Sequence, residues 1–189
     1  GGWGDGEEDN RSGLGVASIN AAPDAKEPTP EDVKKIKITA TAMVNGKDVS
    51  KDVGSFAELK LAAAPKILVA IGPDQGDAAQ VEAPAFGTSN PLELTIAPGE
   101  TITARVHIQR NNDFNGRVGF EAIDQNLPHG IIVDNVGLSG LLIVEGKAQR
   151  QFFLTAANWV PEQTRVFHLR SKEEGGQTSW PIILHVRHK

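Results

Sequence analysis

The stretch Thr101-Ile-Thr-Ala-Arg-Val-His-Ile-Gln-Arg110 alternates polar and apolar side chains from Thr101 to Gln109. Successive side chains of a β-strand point to opposite faces, so the apolar residues share one face and the polar residues share the other. The polar face carries Thr101, Thr103, Arg105, His107 and Gln109. The stretch therefore predicts a half-buried strand in a sheet with one face toward water.

Strand-like segments continue on both sides of this stretch. Leu92-Glu-Leu-Thr-Ile96 leads into it through the turn Ala97-Pro-Gly-Glu100, after a Gly- and Pro-rich segment at 72–91 that predicts a long irregular loop. Further short runs, separated by turn residues, lie at 66–71, 117–123, 131–134, 141–145, 150–156, 164–171 and 180–187. Short strands at such intervals, with connections too short for crossover helices, predict an all-β, antiparallel Ig-like sandwich over residues 65–189.

A separate hairpin is predicted before the sandwich. Residues 37–44 are rich in β-branched side chains, Asn45-Gly46 follows, and residues 47–51 provide the return strand. Asn-Gly suits a type I′ turn because both central residues need a positive φ. The region 33–64 holds too few strands to close a sandwich alone, so we expect the hairpin either to complete the main sandwich or to pair with another chain through its edge.

The acidic charge of the chain is concentrated at its start. The formal net charge is −5, and residues 1–32 carry eight Asp or Glu against two basic residues, together with six Gly and three Pro. This composition predicts a flexible tail in which Pro23, Pro28 and Pro30 interrupt helices. The near-neutral remainder offers no basic stripe for nucleic acid, and no apolar run reaches the 18 or so residues that a membrane span needs.

A serine or cysteine nucleophile is not predicted. The chain contains no Cys, which excludes thiolate zinc sites and cysteine nucleophiles. Gly137-Leu-Ser-Gly140 lacks the closing Gly of a nucleophile elbow, and no helix follows it. A triad of Ser139, His129 and Asp134 is therefore interpreted as a set of turn and strand residues.

Metal and cofactor sites are not predicted either. His107 and His168 lie on the polar faces of their predicted strands, where a cross-strand pair would be able to bind zinc. We interpret them instead as solvent-facing histidines. No Gly-rich phosphate loop stands between a strand and a helix, so no nucleotide cofactor is expected.

The three tryptophans receive different interpretations. Trp180 continues the apolar face of its predicted strand and is assigned to the core. Trp159 lies in a loop between two strands, where it either stacks on a ligand or plugs the end of the sandwich, and we favour the plug. Trp3 lies in the tail and has no assigned role.

Residues 65–189 resemble the Ig-like β-sandwich modules of bacterial extracellular and cell-surface proteins, in particular those of planctomycete pre-peptidase-type surface proteins. The motifs that carry the resemblance are Ala97-Pro-Gly-Glu100, Phe114-Asn-Gly-Arg-Val118 and Leu127-Pro-His-Gly-Ile131, in this order. Residues 33–64 resemble the closing strands of a preceding module, so the chain is expected to be a piece or a relative of a longer tandem protein. The resemblance implies an extracytoplasmic spacer or adhesive role, offers no catalytic residues, and names no ligand.

Two functional hypotheses remain. The first is a non-catalytic structural or interaction module that contacts protein partners, or assembles with itself, through exposed strand edges. The alternative is a carbohydrate-binding module associated with a hydrolase, with Trp159 as its candidate ligand contact. The sequence identifies neither the partner nor the oligomeric state.

Overall fold

A computed structural model gives the fold of the chain and describes residues 19, 21, 24–75, 91–121, 126–134, 140–172 and 176–189. These residues belong to two compact units, Ile19–Ala64 and Pro65–Lys189. Most of the predicted tail at 1–32 and of the predicted loop at 72–91 lies outside the described residues.

The first unit contains one short helix, α1 (Pro30–Lys35). The Thr29 hydroxyl accepts a hydrogen bond from the Asp32 backbone N–H, and the Asp32 carboxylate accepts one from the Thr29 N–H in return. The Thr29 hydroxyl, followed by Lys35, lowers the pKa of Asp32 to about 2. The prediction that Pro30 interrupts a helix is wrong, because a proline at the first helical position lacks only an N–H that would have no helical partner.

The predicted hairpin is confirmed as β1 (Ile38–Val44) and β2 (Lys47–Gly54). Val44 lies opposite Lys47, and the intervening Asn45 and Gly46 have φ values of 50° and 74°, as the Asn-Gly pair predicts. Among the described strands, β1 and β2 pair only with each other. Completion of the main sandwich by the hairpin and pairing of the hairpin with another chain both stay predictions.

The second unit holds ten strands within its described residues. They are β3 (Ile67–Pro73), β4 (Leu92–Ile96), β5 (Thr101–Arg110), β6 (Val118–Glu121), β7 (Ile131–Asp134), β8 (Leu142–Ile143), β9 (Gln149–Ala156), β10 (Gln163–Phe167), β11 (Arg170–Ser171) and β12 (Ile182–Val186). The turn that opens β5 follows the expectation for Pro-Gly, because Gly99 has a φ of 80° and the Glu100 N–H donates to the Ala97 carbonyl over 3.0 Å.

Three sheets share these strands, in the orders β3-β5-β9-β7, β10-β12-β4 and β11-β6-β8. All the paired strands in these sheets are antiparallel except β4 and β12, which are parallel. The predicted antiparallel pairing thus holds for the described strands of this unit except at this one pair. A parallel pair needs a long connection, and the described residues of this connection form the strands β5 to β11 and no helix.

One hydrophobic cluster joins the three sheets. The four-stranded sheet contributes, among others, Ile67, Val69, Val106, Phe152 and Leu154. The two smaller sheets contribute, among others, Ile96, Val118, Ile143, Phe167 and Leu184. Because all three sheets bury apolar side chains in one core, the predicted all-β, sandwich-like fold is confirmed.

The strand predicted at 164–171 is in fact two strands in different sheets. β10 pairs with β12, whereas β11 pairs with β6, and the chain crosses between the sheets at the buried residues His168 and Leu169. Ser179 fixes this crossing. Its carbonyl accepts a hydrogen bond from Nδ1 of His168 (2.9 Å), and its hydroxyl accepts one from the Leu169 N–H (3.0 Å). Backbone groups released from a sheet in the interior need such partners.

Arg110, at the end of β5, ties two loops to the sheet. Its guanidinium donates to the carbonyls of Gly116 (2.6 Å), Val144 (3.2 Å) and Lys147 (3.0 and 3.1 Å). The same group lies 5.5 Å from the centroid of the Phe114 ring. Burial lowers the pKa of Arg110. One planar side chain with several donors thus satisfies carbonyls from two separate loops.

We expect Arg110→Met to lower the free energy of unfolding by roughly 2 kcal/mol, because it leaves these carbonyls without their charged donor. Chemical denaturation followed by tryptophan fluorescence measures the loss. The matched control is Arg117→Met at an exposed position in the same loop region, which should cost less than about 0.5 kcal/mol. Equal effects of the two substitutions would contradict the role assigned to Arg110.

Candidate functional site

The outer face of the four-stranded sheet differs from the wet face that the sequence predicts. Thr101, Thr103 and Gln109 are exposed, but Arg105 and His107 are only 8% and 2% exposed. The prediction is right at the ends of β5 and wrong in its middle, including the interpretation of His107 as solvent-facing. Alternation shows which side chains share a face, and the tertiary structure decides whether that face is covered.

The strand register brings polar side chains together on this face. Gln151 of β9 lies opposite Arg105, and Gln149 lies opposite His107. Asp74, which directly follows β3, reaches the Arg105 guanidinium. The polar patch comprises Asp74, Arg105, His107, Gln149 and Gln151.

Asp74 and Arg105 form a buried ion pair within the polar patch. Their Oδ1 and Nη2 atoms are 2.9 Å apart, and the side chains are 7% and 10% exposed. The amide of Gln151 donates a hydrogen bond to the other carboxylate oxygen of Asp74. Removal of either charged partner would leave the other as an isolated buried charge, which is costly. The sequence analysis missed this pair, since the two residues are 31 positions apart.

The surroundings of His107 disfavour its protonated form. Burial, followed by the positive charge of Arg105, lowers the pKa of His107 from its ordinary value near 6.5. Within the described residues, neither Nε2 of His107 nor Oε1 of Gln149 has a hydrogen-bond partner. The polar patch therefore contains a titratable group whose protonation would place a second positive charge beside Arg105.

Trp159 lies at the end of the sandwich where three turns meet. The Ala157 N–H donates to the Gly130 carbonyl (2.8 Å), and the Gly99 N–H donates to the Ala156 carbonyl (3.0 Å). A Cβ built on Gly130 would lie 2.6 Å from the Trp159 ring, and Gly130 has a φ of 85°. Glycine at this position therefore lets the turn before β7 and the turn after β9 approach closely.

The Trp159 side chain is 60% exposed, so the interpretation of this residue as a plug is wrong. One edge of its ring rests on the Gly130 turn, and its centroid lies 5.1 Å from that of the exposed His129 ring at a tilt of 59°. The assignment of Trp180 to the core is also wrong, because Trp180 precedes β12 and is only partly buried. Trp159 thus presents an aromatic face to solvent while one ring edge lies against the Gly130 turn.

A series of hydrogen-bonded polar side chains crosses the outer face of the sheet formed by β10, β12 and β4. The Arg187 guanidinium donates to the Thr164 hydroxyl (2.8 Å), which contacts Nδ1 of His185 at 3.0 Å. Nε2 of His185 lies 3.0 Å from the Glu93 carboxylate. The hydroxyl, imidazole and carboxylate groups follow one another in the order of a hydrolase triad. They lie on an open sheet face, however. We assign them a structural role, because the contact between His185 and Glu93 connects the parallel strands β12 and β4.

The structure tests some of the remaining predictions about catalytic, metal-binding and membrane-spanning residues. Ser139 lies outside the described residues, so the triad with His129 and Asp134 stays a hypothesis. His107 lies opposite Ala70 and Gln149, and the buried His168 lies at the crossing between β10 and β11, so the two histidines are not cross-strand neighbours. In the part of the chain that the structure describes, no three His, Asp or Glu side chains cluster to hold a metal ion. The same part contains no helix long and apolar enough to span a membrane.

The hairpin β1–β2 exposes several large apolar side chains. Every residue of both strands is exposed, on both faces of the two-stranded sheet. The exposed large hydrophobic residues in these strands are Ile38, Met43, Val44, Val49 and Val53. The cross-strand register places Val44 and Val49 on one face, with Lys47 and Lys51, and places Thr41, Asp48 and Asp52 on the other.

We expect the free energy of unfolding to fall as the pH drops from about 7 to 5. Unfolded histidine takes up a proton near pH 6.5 while His107 resists it, so the unfolded state binds more protons over this interval. The slope due to His107 is at most about 1.4 kcal/mol per pH unit. Denaturant titrations at several pH values should show this slope reduced in His107→Leu. The control Gln109→Leu, two residues along the same face, should keep it, and an unchanged slope in His107→Leu would contradict the assignment.

Two solved structures are similar to parts of the chain, both with TM-scores below 0.5. No family model and no curated protein matches the chain. The chain is similar to the S-layer protein SbsC domains 4 and 5 (15% identity, 80% of this chain, 66% of that chain, TM-score 0.36). It is also similar to a family 123 glycoside hydrolase from Clostridium perfringens (10% identity, 66% of this chain, 28% of that chain, TM-score 0.44). The chain thus spans just under two thirds of the first protein and under a third of the second, and neither likeness assigns a function.

Proposed function

We propose that the chain is a non-catalytic structural module that assembles with protein partners through the hairpin β1–β2. The observation that carries the proposal is the exposure of every residue of this two-stranded sheet. An isolated two-stranded hairpin is at best marginally stable in water, whereas three or more strands with a covered face are stable. A hairpin with five exposed large hydrophobic residues therefore gains stability from a partner.

The described polar groups support a non-catalytic role. Asp74 and Arg105 of the polar patch are buried and form an ion pair with each other. The hydrogen-bonded side chains of Arg187, Thr164, His185 and Glu93 lie on an open sheet face and connect its strands. Side chains used in this way are supports for the fold rather than groups converging on a substrate.

An extracytoplasmic location and an Ig-like identity form a finer part of the same proposal. They are supported by the order of the motifs at 97–100, 114–118 and 127–131, which resembles that of bacterial cell-surface modules. The first of these motifs is the turn that opens β5, and the last leads into β7. A rigid sandwich that displays an adhesive hairpin fits the role of a spacer between other domains or subunits.

We expect the wild-type chain to associate with rising concentration in sedimentation velocity experiments, and Gly46→Val to weaken this association at least tenfold. Gly46 has a φ of 74°, which a β-branched residue adopts only under strain of about 1–2 kcal/mol, enough to unfold a marginal hairpin. The matched control is Gly146→Val in the sandwich, where φ is 70° and nothing lies near the added Cβ. A monomer at all concentrations, or equal association of both variants, would overturn the proposal.

A second candidate function is carbohydrate binding, which the exposure of Trp159 favours. Sugar rings present apolar C–H faces that stack on flat aromatic side chains, and a side chain that is 60% exposed has such a face available. The ring is held in place by the Gly130 turn, and the neighbouring His129 and Asn158 are exposed polar groups that suit hydroxyl recognition.

If this second function holds, Trp159→Ala abolishes retention of the chain on insoluble polysaccharides and changes its melting temperature by less than about 2 °C, because little of the ring is buried. Ile132→Ala, a substitution at another exposed apolar residue of the sandwich, should retain binding. The measurement is depletion of protein from solution over a polysaccharide panel. Loss of stability without loss of retention would mark Trp159 as a packing residue.

A further inference from the structure

The two edges of the hairpin differ in charge. β1 contains no charged residue from Ile38 to Val44, whereas β2 carries Lys47, Asp48, Lys51 and Asp52. Charged side chains, lysine above all, are the usual protection of an edge strand against pairing with another chain. β2 is therefore the protected edge and β1 is the open one.

The backbone groups on the open edge follow from the register. In a two-residue hairpin the pair that flanks the turn, here Val44 and Lys47, is the hydrogen-bonded pair, and the character of the pairs alternates from there. Thr39, Thr41 and Met43 therefore direct their backbone N–H and C=O groups away from β2. Thr41 lies at the centre of these three residues.

We propose that β1 pairs antiparallel with β1 of a second copy of this chain, centred on Thr41, to form a four-stranded sheet. This inference rests on the proposed function and specifies its edge, partner and register. With Thr41 opposite its own copy, Thr39 lies opposite Met43 of the second copy and the reverse pair completes the two-fold symmetry. All outward groups of the three residues are then satisfied by roughly six backbone hydrogen bonds.

A second copy fits this edge because the pairing is free of charge conflict. The charged residues of each hairpin lie on its β2 strand, which becomes an outer strand of the four-stranded sheet. Thr41 next to its own copy is a favourable cross-strand pair. The apolar side chains of Ala40, Ala42 and Val44 from both copies form one continuous stripe between the lysines of the outer strands. The protected β2 edges then end the assembly at a dimer.

Engineered cysteines test this register directly, since the chain has no cysteine of its own. In the proposed sheet the two Thr41 Cα atoms lie about 5.5 Å apart, within the range that a disulfide spans. Thr41→Cys in the full chain should form a covalent dimer under mild oxidation. Ser50→Cys is the matched control, because Ser50 pairs with Thr41 across the hairpin and occupies the corresponding position on the β2 edge. It should stay monomeric on a non-reducing gel.

A second pair of variants tests the edge without a cross-link. Thr41→Lys places like charges directly opposite each other and should weaken the association at least tenfold, whereas Ser50→Lys loses the same hydroxyl contact and should associate like the wild type. Cross-linking through Ser50→Cys, or association that survives Thr41→Lys, would overturn the β1 register while leaving assembly through the hairpin intact. A wild-type chain that is monomeric at every concentration would overturn both proposals.

Discussion

The fold of the second unit depends on β5, which is paired on both sides and buried on both faces at its centre. It lies between β3 and β9, so its backbone groups are satisfied within the sheet along most of its length. Its inner face contributes Ala104, Val106 and Ile108 to the core. Its outer face needs a different solution, because Arg105 there is withdrawn from water and would be costly without a partner. Asp74 provides that partner from the end of the adjacent strand.

This arrangement couples register to electrostatics. A slip of β5 by one residue would turn Arg105 toward the apolar core and Val106 toward the polar patch. A buried ion pair is weak evidence for added stability. The pair between Arg105 and Asp74 nevertheless favours one register of β5, because a slipped strand would separate the two side chains. His107 shares this environment, and its burial and the charge of Arg105 lower its pKa. The polar patch therefore makes the register specific and makes the stability dependent on pH.

The hairpin of the first unit presents the opposite situation. Its turn and its strand pairing follow from local chemistry, since Asn45 and Gly46 accept positive φ and the strands are rich in β-branched residues. Its stability does not follow, because two strands bury almost nothing and leave two free edges. The β2 edge carries charged side chains, which disfavour pairing with another strand, whereas the β1 edge carries none. The proposed assembly through β1 depends on this asymmetry.

The candidate ligand contact illustrates how far a loop can be interpreted from sequence. The sequence places the aromatic side chain of Trp159 in a loop between two strands, where it either contacts a ligand or fills the end of the sandwich. Whether it plugs or protrudes depends on the turn that meets it. In the structure one edge of the ring lies against the Gly130 turn, and Trp159 is 60% exposed. That contact joins residues 29 positions apart and has no local sequence signal.

The sequence by itself determined the strands with strong alternation or turn chemistry, such as β5 and the hairpin, and the all-β class, because these depend on side-chain periodicity and on φ preferences over a few residues. It also identified Trp159 and the exposed edge of the hairpin as features of interest. Only the tertiary structure decided that His107 is buried, that Asp74 neutralises Arg105, that 164–171 crosses between sheets, and that β4 and β12 are parallel. Each of these depends on which distant segments meet, and contacts between segments far apart in the chain leave no periodic trace in either segment.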